Sequence, residues 1–185
     1  MATIMSTTIS FLSDQAIENE SNTLLKSACQ QYAPIDVVAI CRHLNIDVRT
    51  ASFTPAPGRD DEVSGLIRRL NGRYQILVNV VHQYERQRYT IAHELGHYTL
   101  HRHLVEQGKE LVDTIADFYR HGPDDQTNPN RRRAEIQANK FAASLLMPKD
   151  LIKEAREVSK SPVQLASMFA VSETAMRFRL AELDL

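Results

Sequence analysis

The chain has 185 residues, of which 43% are hydrophobic and 24% charged, and a net charge of −1. Such a chain can bury a core without disulfides or metals as staples, and its near-neutral balance gives no general attraction to nucleic acid or to an anionic membrane. Its two cysteines, Cys29 and Cys41, show neither metal-ligand spacing nor a disulfide framework, which fits a reducing cytoplasm.

In chain order, residues 1–21 are polar and rich in Ser and Thr, and are expected to form a flexible segment. They hold no basic stretch leading into an apolar run, so they are not an export signal. Residues 23–32 and 35–44 predict helices separated by Pro34, and residues 46–52 a short strand. Residues 53–62 predict a loop. Residues 65–70 and 73–80 flank Asn71-Gly72, two residues that tolerate positive φ, and so predict a β-hairpin with Ile67, Tyr74, Ile76 and Val78 on one face. One hairpin strand is expected to be an exposed sheet edge onto which an extended peptide could add. Helices are then expected over 104–119, 132–147 and 150–158, followed by two short ones. No stretch is long and apolar enough to span a bilayer.

The most informative stretch is His93-Glu94-Leu95-Gly96-His97. Two imidazoles four residues apart on a helix project from one side about one turn apart, which is what a single metal ion needs from a helix. Glu94, between them, can reach a water in the metal's open position. At roughly 100° per residue, Ile91, Leu95 and Tyr98 form one stripe and the two histidines lie nearly opposite, so the helix packs on one side and displays its histidines on the other. His101 continues the series, but at about 1.5 Å rise per residue it sits roughly 12 Å from His93, too far for both to touch one ion. His101 and Tyr98 are left as candidates for the substrate side, and His103 as a weaker one.

A third ligand is needed, and Glu135 is the better candidate. It lies in a helix stopped by Pro148, whose apolar stripe is Ala134, Ala138, Phe141 and Leu145. Glu135 falls on an adjacent stripe of small and apolar residues, where a carboxylate is seldom found unless paired or metal-bound. Asn139, one turn on, could accept a hydrogen bond from the far nitrogen of a ligating histidine. Glu106, Glu110, Asp113 and Asp117 are rival ligands that fit the polar side of an intervening helix. Asp124 and Asp125 fall in a loop rich in Pro, Asn and Asp, and the basic run Arg131-Arg132-Arg133 reads as the solvated start of the following helix.

From about residue 35 to the end, the chain resembles the ImmA/IrrE-type metallopeptidases. The resemblance rests on residues 65–70, Asn79, the run from Tyr89 to Tyr98, Leu100-His101, the block from Glu135 to Pro148, and residues 165–180. It implies an α+β, zincin-like domain with a small antiparallel sheet and a β-hairpin packed on the helix of the two histidines. It implies Zn2+ held by His93, His97 and Glu135, with Glu94 as catalytic acid and base. Many relatives carry a second acid where this chain has Gln137, which leaves Glu135 as the only glutamate in that block. It also implies a protein substrate, a helix-turn-helix repressor of the XRE type encoded nearby, cut once to relieve repression.

Residues 161–180 look like a helix-turn-helix, with Pro162 in a first helical turn and Ser172 as an N-cap. Its second helix offers only Arg177 and Arg179 against Glu173, Glu182 and Asp184, so packing or partner docking is expected rather than nucleic-acid binding. The expected organisation is a flexible segment at 1–21, a peptidase domain at 22–148 and a helical tail at 149–185. Two other classes remain: a metal-containing interaction or toxin-type module paired with a regulator, and a DNA-binding regulator using the tail.

Overall fold

The computed structural model describes residues 9–53, 63–103, 111–114 and 129–185, with only the backbone of 111–114. Four strands, β1 (Ile46–Ala51), β2 (Val63–Leu70), β3 (Arg73–Asn79) and β4 (Leu111–Thr114), form one sheet in the order β1-β3-β2-β4. The hairpin forms where Asn71-Gly72 predicts it, with φ of 50° and 78° at the two turn residues, and pairs Ile67 with Ile76 and Gly65 with Val78. Ile67, Ile76 and Val78 are buried on its inner face, with Tyr74 partly buried.

Three expectations about the sheet need correction. β1 pairs parallel to β3, so the sheet is mixed rather than antiparallel, with the hairpin pair and the β2–β4 pair antiparallel. Both hairpin strands are interior, because β1 takes the outer side of β3 and β4 that of β2. The exposed edges among the described residues are therefore β1 and β4, not a hairpin strand. Finally, Leu111–Thr114 is a strand where a helix over 104–119 was expected, with residues 104–110 and 115–119 outside the described set. A free β2 edge offers unpaired backbone groups, and pairing them outweighs a weak local helical pattern.

Helix α3 (Tyr84–Leu100) carries both histidines and lies on the inner face of the sheet, and α4 (Pro129–Leu146) packs against it. Two glycines set how close these layers come. A Cβ at Gly65 would stand 2.4 Å from Thr90 Cγ2 on α3, and one at Gly96 would stand 3.0 Å from Ala138 Cα on α4. Only a missing side chain lets the backbones approach so closely. The predicted stripe of Ala134, Ala138, Phe141 and Leu145 is fully buried in the contact. Ile91, Leu95 and Tyr98 enter the core as predicted, but His93 and His97 are 0% and 1% exposed rather than displayed. The covering α4 puts them inside.

The N-terminal part is more ordered than its composition suggests. Helix α1 (Asp14–Ser27) begins well before residue 21, the expected end of a flexible segment, with Ser13 Oγ accepting the Ala16 N–H at its start. Ile17, Ser21, Leu24 and Leu25 give it a buried side, and Ile9 is buried ahead of it; residues 1–8 lie outside the described set. Helix α2 (Val37–His43) is capped by Asp36 Oδ1, which accepts from two backbone N–H groups.

Helices α5 (Lys149–Val158), α6 (Pro162–Phe169) and α7 (Glu173–Glu182) complete the fold. Ile152, Leu165, Phe169, Met176 and Leu180 bury their side chains in the same cluster as α1, α3 and α4. Arg179, counted from sequence as a surface cation of the tail, is 2% exposed and donates to both carboxylate oxygens of Glu18 at 2.8 and 2.7 Å. Its guanidinium also reaches Glu182 at 2.9 Å and the Met147 carbonyl at 3.2 Å. Arg177 is tied to Glu173 at 2.6 Å. Among the described residues no helix is long and apolar enough to cross a membrane.

Candidate metal centre

Three potential ligand atoms converge between α3 and α4. His97 Nε2 lies 3.0 Å from His93 Nε2, and Glu135 Oε2 lies 3.2 Å from His93 Nε2 and 3.4 Å from His97 Nε2. The same three residues form the metal-capable group found among the described residues. Bonds of about 2.0–2.1 Å at tetrahedral angles set ligand atoms roughly 3.3 Å apart, so the spacing suits one small divalent ion with a fourth position left open. Two imidazole nitrogens facing each other can share at most one proton, and the charged oxygen beside them adds another lone pair. Such a trio of acceptors is costly to bury without a cation at its centre.

Hydrogen bonds behind the site fix the lone pairs that face it. Asn139 Oδ1 lies 3.0 Å from His93 Nδ1 and accepts the Tyr89 hydroxyl proton at 3.0 Å. An amide oxygen only accepts, so His93 carries its proton on Nδ1 and turns an unprotonated Nε2 toward the centre. Asn139 sits beside the far nitrogen of His93, one turn on from Glu135 along α4. Tyr89 was not singled out from sequence, although it lies one turn before His93 on the same helix. Burial raises the pKa of Glu135, but His97 and then His93 beside it outweigh that and hold the carboxyl well below its usual range. With a side chain 12% exposed, Glu135 is an anion between two imidazoles. Glu94, between the histidines in sequence, is fully buried.

His101 lies outside this trio, as its rise along the helix predicts. It is buried rather than exposed, its ring centroid 5.5 Å from that of His97. Gln137 Nε2 donates to the Ser10 carbonyl at 2.9 Å, which turns the amide oxygen toward His101 Nε2 at 2.8 Å. His101 therefore carries its proton on Nε2. Burial, with a smaller contribution from neighbouring His97, pushes its pKa down to about 4 and keeps the ring neutral at physiological pH. Gln137, noted from sequence only as the absence of an acid, thus links the N-terminal segment to the histidine row. Tyr98 is packed against Tyr74, ring centroids 4.8 Å apart and nearly perpendicular, and under the Arg102 guanidinium at 4.1 Å. Of the rival ligands, Glu106, Glu110, Asp117, Asp124 and Asp125 lie outside the described residues, and Asp113 is described only as backbone in β4.

Two histidines one turn apart, a buried glutamate between them in sequence and a third acid from a second helix form an arrangement that comparison with known proteins can identify. Residues 41–181 match a peptidase family through its IrrE N-terminal-like domain. The chain belongs to that family. Its α+β fold is the zincin-like one that the sequence predicts. Metallopeptidase ImmA of Bacillus subtilis (strain 168) is 26% identical to it over 129 residues, covering 66% of this chain and 65% of that protein. The chain thus spans just under two thirds of that relative's length. Helix α1 and most of α2 precede the matched region, yet α1 supplies Glu18 and packs on α4, and α2 packs on β1 and α3.

Proposed function

We propose that this chain is a zinc-dependent endopeptidase of the cytoplasm that makes a specific cut in a helix-turn-helix repressor of the XRE type and so relieves repression. The observation that carries the chemistry is the convergence of His93 Nε2, His97 Nε2 and Glu135 Oε2 at tetrahedral-edge spacing. His93, His97 and Glu135 hold the ion, for which zinc is favoured by two imidazoles and a carboxylate. A zinc ion bound there supplies Lewis acidity, polarising a peptide carbonyl and making a water more acidic.

The chain's own residues do the rest. Asn139 and Tyr89 keep His93 in the tautomer that presents Nε2. Glu94 accepts the proton of the attacking water and passes it to the leaving amine. An extended substrate adds to the edge of β4 that faces away from β2, which is unpaired among the described residues. The repressor as substrate rests on the resemblance of the sequence to ImmA/IrrE-type peptidases, while the name of the Bacillus subtilis relative as a metallopeptidase supports the peptidase chemistry alone. Cutting a dimeric repressor between its dimerising and DNA-binding parts collapses operator affinity without degrading the whole protein.

Metal analysis tests the site. One zinc per chain is expected, with occupancy lost in His93→Ala, His97→Ala and Glu135→Ala and kept in Glu94→Gln. Full zinc content in Glu135→Ala would move the third ligand elsewhere. Co-expression with the neighbouring regulator, followed by mass spectrometry, tests the substrate. Two discrete fragments that vanish in Glu94→Gln support the proposal, whereas intact regulator in a stable stoichiometric complex makes the chain a binding module.

A further inference from the structure

Arg69, near the end of β2, pairs across the hairpin with Tyr74 on the sheet face that also carries Ile67 and Ile76 and is turned toward α3. The Tyr74 ring meets the Tyr98 ring of α3 edge to face. Arg102, just beyond the end of that helix, sets its guanidinium 4.1 Å from the Tyr98 centroid and 5.7 Å from that of Tyr74, and Arg69 sits 5.7 Å from the Tyr74 centroid. Two cations therefore share one pair of rings. They stand at the C-terminal end of α3, the helix that carries His93 and His97.

Both arginines are exposed, and among the described residues neither forms an ion pair. Like charges gathered on one ring pair repel, and the ring faces offset part of that through cation–π attraction. A guanidinium stacked by its face keeps its N–H edges for other partners, and those edges match a carboxylate in bidentate fashion. Stacking also pre-orders two long side chains, so less entropy is lost when a partner binds. The anion that suits such a site is compact. A chain with a net charge of −1 and two cations at one spot lacks the continuous track of positive charge that a duplex phosphate backbone needs, whereas a short run of Asp or Glu needs no more.

We infer that Arg69 and Arg102, held on Tyr74 and Tyr98, form a docking surface at the C-terminal end of the metal helix for an acidic segment of the polypeptide substrate. The inference rests on the peptidase proposal for its substrate class, and its test separates the two. The probe is a fluorescein-labelled, Glu-rich peptide of about a dozen residues, compared with its Gln-rich counterpart on zinc-loaded Glu94→Gln protein by fluorescence anisotropy. The acidic peptide is expected to bind about tenfold more tightly, with a preference that shrinks as salt is raised. Arg69→Gln with Arg102→Gln abolishes the preference while zinc content and melting temperature stay the same. Arg73→Gln retains it, because alternation along β3 sends that residue to the opposite face from Tyr74.

Equal binding of the two peptides, or a preference that survives the double arginine change, overturns the docking surface. Equal loss with Arg73→Gln also overturns it, reducing the effect to a diffuse positive field. Tight, steeply salt-dependent binding of a short DNA duplex through the same two arginines replaces the acidic peptide with nucleic acid. Acidic preference without any cleavage of a regulator by the wild-type protein leaves the surface standing and sinks the peptidase proposal. Cleavage without acidic preference does the reverse.

Discussion

At the scale of single residues, Asn139 shows how a side chain that would touch no metal governs one that would. Its Oδ1 collects two donors, His93 Nδ1–H and the Tyr89 hydroxyl, so the amide cannot rotate without stranding both. Asn139→Ala frees the imidazole to change tautomer and orientation, and a loss of metal affinity of about 10- to 100-fold is expected. Tyr89→Phe removes one of the two donors and should cost less; competition against a chelator of known affinity measures both. An unchanged affinity in Asn139→Ala would mean that packing alone holds the ring. Cys41 makes a second case. Burial, reinforced by the charge of Asp36, pushes its thiol up to about 12 from 9.0. The folded chain therefore keeps a proton that the unfolded chain releases above about pH 9, so stability falls as pH rises from 9 toward 12. At pH 8.5 a thiol reagent should modify exposed Cys29 quickly and Cys41 only on unfolding, which a mass-resolved time course shows.

At the scale of elements, the metal site depends on how closely α3 and α4 approach. A methyl group at Gly96 would meet Ala138 backbone atoms at 3.0 and 3.1 Å, tighter than ordinary contact, and backbone cannot step aside as a flexible side chain can. Gly96→Ala should cost about 1–3 kcal/mol in stability. It should also weaken metal binding, because Glu135 rides on the helix that is pushed away. Stability lost with metal affinity unchanged would show that the two helices slide rather than separate. This approach was partly legible in the sequence. The spacing of His93 and His97, the stripe of Ala134, Ala138, Phe141 and Leu145, and the Asn71-Gly72 turn are local patterns, and local patterns fix local elements. What the sequence hid was non-local. The parallel pairing of β1 with β3 and the cover that β4 gives β2 depend on which edges meet in space, so the edge strand was misplaced. The start of α1 was readable in Ser13 and in the spacing of Ile17, Ser21, Leu24 and Leu25, but a polar Ser- and Thr-rich composition masked it. Covered histidines and a buried Arg179 could not be foreseen from helical angles, which say where a side chain points but not what packs over it.

At the scale of the whole molecule, the chain is tied together from its two ends. Glu18 of α1 meets Arg179 of α7 and also accepts the Ser144 hydroxyl proton of α4 at 2.9 Å, so one carboxylate joins the N-terminal helix, the helix of Glu135 and the tail. Arg88, on the metal helix, reaches the Ala170 carbonyl beyond the end of α6 at 3.2 Å. The helix-turn-helix-like piece is therefore packed as a brace on the metal helices. Arg179→Ala leaves the Glu18 charge, 14% exposed, with its main partner gone, and a loss of about 2–4 kcal/mol in unfolding free energy is expected. Replacing both ends, Glu18→Gln with Arg179→Met, removes the stranded charge and should recover much of that loss, since an apolar substitute for a buried ion pair is often close to neutral. Urea titrations of the wild type, Arg179→Ala and the double variant measure both changes. In each, fluorescence of a label on Cys29 and far-ultraviolet circular dichroism should report one coincident transition, because the tail and α1 share a core with the peptidase helices. A first transition that melts the tail helices while the metal site stays intact would instead make the tail an independent module.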